Sequence, residues 1–390
     1  MKKIKISLQT YQHLLLNQLD LNLFLLWNCL LFPWNQMPVL LLNLLLKLKV
    51  LEKYLDAYSE IMGRVFPSIA FIDAYAGRGK CRDDNNKEYD GSPIIMCKAI
   101  RRILDIERGK CKKAKYFAND IDKKNCSLLE ANLSPFGEIA NISSKEAKEF
   151  ISECLSKICP QYSSALFFVD PFNYSILKAD IESIFNTCEE YFNRCQCEVI
   201  LFLPISNVYR FKTNNEYPSI VNFVESYGIN PEEDKHPDKF MERVRQAFAG
   251  IDKYCASVKL KDGANTYALF FIGKHIYGID KFLEARDKCL KQDTDMELFV
   301  LPETPTGKLK SKIKEKPMFN WEIYEWAMKN NISAARIKDM IQDLEIKEKL
   351  KKEYINCKKG KNTYYLNNDG WKDRSKQIKY YFEEETWLLK

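Results

Sequence analysis

The stretch Ile69–Lys80, "IAFIDAYAGRGK", decides the fold. An apolar run too short for a helix ends in an acid, Asp73, and Gly77 and Gly79 follow after Ala74. A buried strand breaking into a glycine turn is how a parallel sheet opens a ligand site. Ligands bind beyond the carboxyl ends of the strands, and glycine lets backbone approach them with no Cβ in the way. The third glycine of the dinucleotide fingerprint is missing, and Lys80 lacks the glycine pattern of a P-loop. An acid before the turn repels a pyrophosphate and suits a cationic ligand, and S-adenosylmethionine carries an amino group, a sulfonium and no phosphate. The plain alternative is a tight strand-to-helix turn with no ligand.

Outward from this turn, strands and helices alternate. "KLKVLEKYLDAYSEIM" (47–62) spaces Leu48, Leu51, Leu55 and Tyr58 as one helical face. "SPIIMCKAIRRIL" (92–104) opens on a Ser cap with Pro at the first helical position. "AKYFAND", "EIANISS", "SALFFVDPF", "CEVILFLPI" and "TYALFFIGK" read as further strands, with "KKNCSLLEANL" and "KEAKEFISECLSKI" as helices. The pattern predicts an α/β domain over 47–300, a Rossmann-like, doubly wound, mostly parallel sheet covered on both faces. "TYALFFIGK" (266–274), followed by a short turn and a helix, suits an antiparallel edge. Residues 207–263 are polar and too long for a simple crossover, which predicts a helical insert.

Residues 301–317 mix Pro, Gly and Lys and read as a basic linker. Two helices follow, the second capped by Ser333, and "KEYINCKKGKNTYYLN" (352–367) reads as a β-hairpin with a basic Gly turn. This predicts a winged-helix-like domain over 318–369 and a tail over 370–390.

Two more acids stand at strand ends. Asp120, closing "KYFAND", is placed to accept from both hydroxyls of a ribose; the alternative is that Asp120 or Asp122 caps the next helix. In "FFVDPFN", Asp170 and the Pro171 carbonyl can accept from a substrate amine while Phe172 stacks on a planar ring. Holding an amine lone pair toward a methyl donor needs positioning, not a strong base.

Taken together, "FIDAYAGRGK", "GSPIIMCKAI", "ANDIDKKN", "FVDPFN" and the C-terminal module, from about Lys47 to Asn368, resemble the three-Cys-motif partner proteins (TcmP). These are bacterial proteins with a class I methyltransferase-like fold, encoded beside a three-cysteine-motif protein that would be the partner of this chain. The resemblance maps Asp73, Gly77 and Gly79 to the cofactor loop, Asp120 to the ribose acid, and Asp170-Pro171-Phe172 to the catalytic-strand motif. Asn173 stands where the family usually has Gly. The first motif also resembles that of DNA cytosine-5 methyltransferases, but none of the 14 prolines is followed by cysteine, which excludes that chemistry. Amino-methyltransferases of nucleic acid usually carry a second Pro after Asp-Pro, absent here.

Composition narrows the rest. Of 390 residues 46% are hydrophobic and 29% charged, enough for a large domain and a smaller one. The 13 cysteines form no Cys-x-x-Cys and there are only three histidines, so a zinc site or a Cys/His hydrolase lacks its ligands, and reduced thiols in a cytoplasmic protein are expected. Residues 21–46 carry no charge but include two prolines and five Asn or Gln, and they read as a doubtful extension (1–46) rather than a membrane span. From Leu301 onward 20 Lys/Arg face 14 Asp/Glu, most of the net charge of +7. That excess predicts a polyanion partner, nucleic acid, held by Arg336 and Lys338 on the second helix and by Lys358, Lys359 and Lys361 at the wing; the alternative is a solvated lysine face on a module that docks a protein through its apolar surface. The expected function is a methyltransferase acting on nucleic acid or on a partner-bound substrate. The rivals are a non-catalytic binding module of the same fold and, last, a nuclease, whose metal-binding carboxylates are not assembled in the sequence.

Overall fold

The computed structural model describes residues 37–82, 86–171, 176–191, 196–213, 217–230, 236–250, 253–262, 265–292, 306–355, 357 and 364–383. It begins with a long helix, α1 (Met37–Val65), that runs ten residues upstream of Lys47, where the domain was expected to start. Leu46, Leu48, Leu51, Leu55, Tyr58 and Met62 recur at helical spacing and are all buried.

Next come β1 (Ser68–Asp73), a small hairpin β2 (Lys80–Arg82) and β3 (Glu88–Asp90), α2 (Ser92–Asp105), β4 (Lys113–Asn119), α3 (Lys123–Leu133), β5 (Ala140–Ser143), α4 (Ala147–Glu153) and β6 (Ser164–Val169). Then follow α5 (Lys178–Tyr191), β7 (Gln196–Leu203), α6 (Ile205–Phe211), α7 (Pro218–Ser226), α8 (Pro237–Phe248), β8 (Tyr254–Asp262), β9 (Asn265–Gly273) and α9 (Ile276–Gln292). The seven-stranded sheet has the order β5-β4-β1-β6-β7-β9-β8. Its first five strands are parallel, β9 is antiparallel to β7, and β8 is antiparallel to β9. This is a doubly wound α/β sheet whose order reverses at β1, the switch point where such folds bind ligands.

Alternate residues of each strand feed two cores. Ile69, Phe71, Leu166 and Phe168 pack beneath α1, α2 and α9. Ile72, Phe167, Val199 and Leu201 pack beneath α4, α5, α7 and α8. Burial on both faces is why these strands read as unbroken apolar runs.

Two expectations differ in detail. The antiparallel strand β9 is interior, and the edge belongs to β8, at the end of the segment expected to be a helical insert. That segment does hold most of α6 and all of α7 and α8, then closes on the edge strand.

The C-terminal module comprises α10 (Thr306–Glu315), β10 (Met318–Phe319), α11 (Asn320–Lys329), α12 (Ala334–Lys347), β11 (Lys351–Ile355), α13 (Asn368–Lys372) and β12 (Gln377–Tyr381). The stretch expected as a linker thus carries a helix, α10, with Leu309 and Ile313 buried four residues apart. The expected hairpin is not the pairing found: β11 pairs antiparallel with β12, which supplies the middle strand from beyond residue 369. Asn320, fully buried, ties this together. Its Nδ2 donates to the carbonyls of Tyr365 and Lys376 at 3.2 Å, and its Oδ1 accepts from Ile378 N at 3.0 Å. Lys358, Lys359 and Lys361 lie outside the described residues. No helix among the described residues is long and apolar enough to cross a membrane.

Candidate active site at the switch point

The carboxyl end of β1 is held by its neighbours. Asp73 is completely buried; its Oδ2 accepts from Ser92 Oγ at 2.9 Å and Tyr116 OH at 3.1 Å, and its Oδ1 accepts from Tyr75 N at 3.1 Å. Burial, with the charge of Asp170 adding to it, lifts the Asp73 carboxyl from 3.8 to about 7 against the pull of those donors. Asp73 therefore anchors the turn from inside.

The "GSP" motif is explained by the same contacts. Ser92 starts α2 and reaches back to Asp73, while Gly91 N donates to Gly79 O at 2.8 Å. A Cβ on Gly91 would stand 2.8 Å from that carbonyl oxygen, so only glycine fits. Gly77 and Gly79 adopt φ of +61° and +85°, the left-handed region, and a Cβ on Gly77 would project into open space.

At the end of β4, Asp122 caps α3 by accepting from Lys124 N at 2.8 Å. This leaves Asp120 free of the helix cap. Its Oδ1 accepts from Asp122 N at 2.8 Å and Asn125 Nδ2 at 3.2 Å, and its Oδ2 accepts no hydrogen bond from the described residues. Asp120 is buried, so one oxygen fixes the carboxylate while the other stands without a donor among the described residues. Asn119, which sequence reasoning passed over, stitches three strand ends together: its Nδ2 donates to the carbonyls of Ala74 and Lys145, and its Oδ1 accepts from Lys145 N at 3.0 Å.

Beyond β6, Asp170 forms an ion pair with Lys47 of α1. The Lys47 side chain is 5% exposed and its ammonium lies 4.4 Å from the centre of the Phe202 ring, a cation–π contact. Pro171 is buried; Phe172 and Asn173 fall outside the described residues. Cys81 completes the cluster: burial raises its thiol, and Lys47 and Arg78 partly offset this. Sequence reasoning missed Lys47, which gave no sign beyond being the first charge after an uncharged run.

The site thus brings together Asp73, Ala74, Gly77, Gly79, Asp120, Asp170 and Pro171 where β1 meets β4 and β6. It does not bring in Arg336 or Lys338, which belong to the C-terminal module. Lys338 lies 5.6 Å from the Tyr364 ring centre, and Arg336 turns toward the sheet edge. No group of three His, Cys, Asp or Glu among the described residues is arranged to hold a metal ion.

No family model matches the chain, and no curated protein matches it either. Among solved structures, a Legionella pneumophila protein of the DUF519 family aligns at 12% identity and a TM-score of 0.41, covering 65% of this chain and 91% of that one. The O-methyltransferase TomG from Streptomyces achromogenes, solved with SAM, aligns at 11% identity and 0.32, covering 57% and 79%. An O-methyltransferase from Bacillus cereus, solved with SAH, aligns at 8% and 0.33, covering 58% and 80%. The fold is read from the chain's own strand order.

Proposed function

We propose that the chain is an S-adenosylmethionine-dependent methyltransferase whose acceptor is an amine presented on nucleic acid or on a partner-bound substrate. One observation carries the reading: Asp120 is fixed through Oδ1 and keeps Oδ2 for a ligand, beside two left-handed glycines at the switch point. A ribose diol is the fitting donor for that oxygen, and Gly77 leaves the space a bulky ligand needs. When bound, the cofactor would supply an electrophilic methyl group. Asp170 and the Pro171 carbonyl would orient the acceptor amine, whose proton leaves to water after transfer. Lys47 pairs with Asp170 and so holds that carboxylate in place at the strand end beside the buried Asp73.

The succession of α10, β10, α11, α12, β11 and β12, with β12 central, supports reading the C-terminal module as a winged helix. In this reading the wing lysines would carry nucleic acid, and a three-cysteine-motif protein would be the partner that the TcmP resemblance implies. The eleven described cysteines are all free, which favours a reducing, cytoplasmic setting.

Calorimetry with S-adenosylmethionine and its demethylated product tests the site. Asp120→Ala should weaken binding by about 1–3 kcal/mol, the cost of removing a charged hydrogen-bond acceptor. Absence of heat with the intact chain at millimolar cofactor would overturn the proposal.

A further inference from the structure

A second cleft lies at the edge of the sheet. Its volume is about 800 Å³ and its walls come from α8, β8, α9, α10 and the α11–α12 connection. Four strand spacings, about 19 Å, separate β8 from β1, so the cleft is distinct from the switch point. Seven basic residues line it, Arg245, Lys253, Lys259, Arg286, Lys308, Lys329 and Arg336, against two acids, Asp238 and Glu242.

Both acids are already engaged. Glu242 accepts from Arg245, and Asp238 pairs with Lys259. Two further acids outside the cleft neutralise two of its bases: Asp287 pairs with Arg286 at 2.8 Å, and Glu325 with Lys329 at 2.7 Å. Arg336, Lys308 and Lys253 are left with no ion-pair partner among the described residues. Arg336 Nη1 is also sealed from solvent without a hydrogen-bond acceptor. The Arg286 side chain is 3% exposed, and its guanidinium is held below its usual pKa, first by burial and further by the facing charge of Arg336. A fold does not gather like charges and strand a buried donor for stability's sake.

We propose that this cleft is a binding site for a small polyphosphate-bearing ligand, with Arg336 and Lys308 as its principal contacts and Arg286 supplying charge from below. Planar guanidinium forks match phosphate oxygens. The recessed position of Arg286, with the partly exposed Arg336 facing it, favours a terminal phosphate group entering end-on over a polynucleotide backbone lying across the surface.

The test is calorimetric titration of the full chain with inorganic pyrophosphate, with inorganic phosphate, and with a single-stranded RNA lacking terminal phosphates. Pyrophosphate should bind, phosphate more weakly, and the RNA should not compete. Arg336→Gln and Lys308→Gln should each weaken pyrophosphate binding by roughly tenfold, with Arg336→Lys intermediate. Unchanged thermal melts would show that these variants fold. Asp120→Ala should leave pyrophosphate binding intact, which separates this site from the switch point. No binding at millimolar pyrophosphate, affinity indifferent to both substitutions, or binding of the RNA alone would overturn the proposal.

Discussion

Two buried carboxylates carry opposite lessons about how far single residues can be read. Asp73 was visible in the sequence because it ends an apolar run before a glycine turn; its three donors were not, since Ser92 and Tyr116 arrive from 19 and 43 residues away. Glu198 sits inside the apolar strand β7 and gave no functional sign. It accepts from Tyr54 OH across 144 residues and so locks α1 to the sheet. Burial raises Asp73 from 3.8 and Glu198 from 4.5, each to about 7. The folded state therefore holds protons that the unfolded chain releases, and stability falls as pH rises from 3.8 through about 7. For Glu198 the shift amounts to about 3 kcal/mol. Glu198→Gln keeps an acceptor for Tyr54 and cannot ionise. Relative to the native chain it should be nearly neutral at pH 4.5 and more stable at pH 8 by up to that amount. Urea denaturation of both proteins at the two pH values decides it, and a difference independent of pH refutes it.

At the scale of elements, legibility followed burial. β1, β6 and β7 are mostly apolar because both sheet faces are covered, and these strands and β4 lie where the sequence reading puts them. β8, "YCASVKLKD", alternates apolar with polar or charged residues as an edge strand does, and was absorbed into the insert. α10 reads as linker in the sequence because it buries only Leu309 and Ile313 among its lysines. α1 is the most consequential case. Its expected start at Lys47 falls in mid-helix, with Leu46 and Leu48 each under 5% exposed and Lys47 paired to Asp170. A chain beginning at Met37 should unfold like the full one. One beginning at Lys49 loses two buried leucines, each contributing about 1.5–3 kcal/mol, and leaves the largely buried Asp170 unpaired. Thermal melts of the two truncations should differ clearly; equal stability would show that the first turns of α1 contribute nothing.

For the whole molecule the decisive contact is the covering of the sheet's free edge by the C-terminal module. Asn331, at φ +62°, turns its side-chain amide onto β8: Ser257 N donates to its Oδ1 at 2.9 Å, and its Nδ2 donates to Ser257 O at 2.9 Å. One side chain thus completes a rung of the ladder that another strand would otherwise supply. Around it, Arg245 Nη1 donates to Lys329 O at 2.9 Å, Arg286 Nη1 to Asn331 O at 3.0 Å, and Tyr324 OH to Asp280 at 3.0 Å. The module and the sheet should therefore unfold as one cooperative unit. Asn331→Gly isolates the edge contact, since glycine adopts the left-handed backbone freely and only the amide is lost. Two buried backbone groups of Ser257 are then unsatisfied, at about 1–3 kcal/mol each. Calorimetry should show one transition for the native chain and a lowered melting temperature for Asn331→Gly. Two separate transitions in the native chain would mean that the module only rests on the sheet, and that the arginines gathered beneath it are not held by a shared fold.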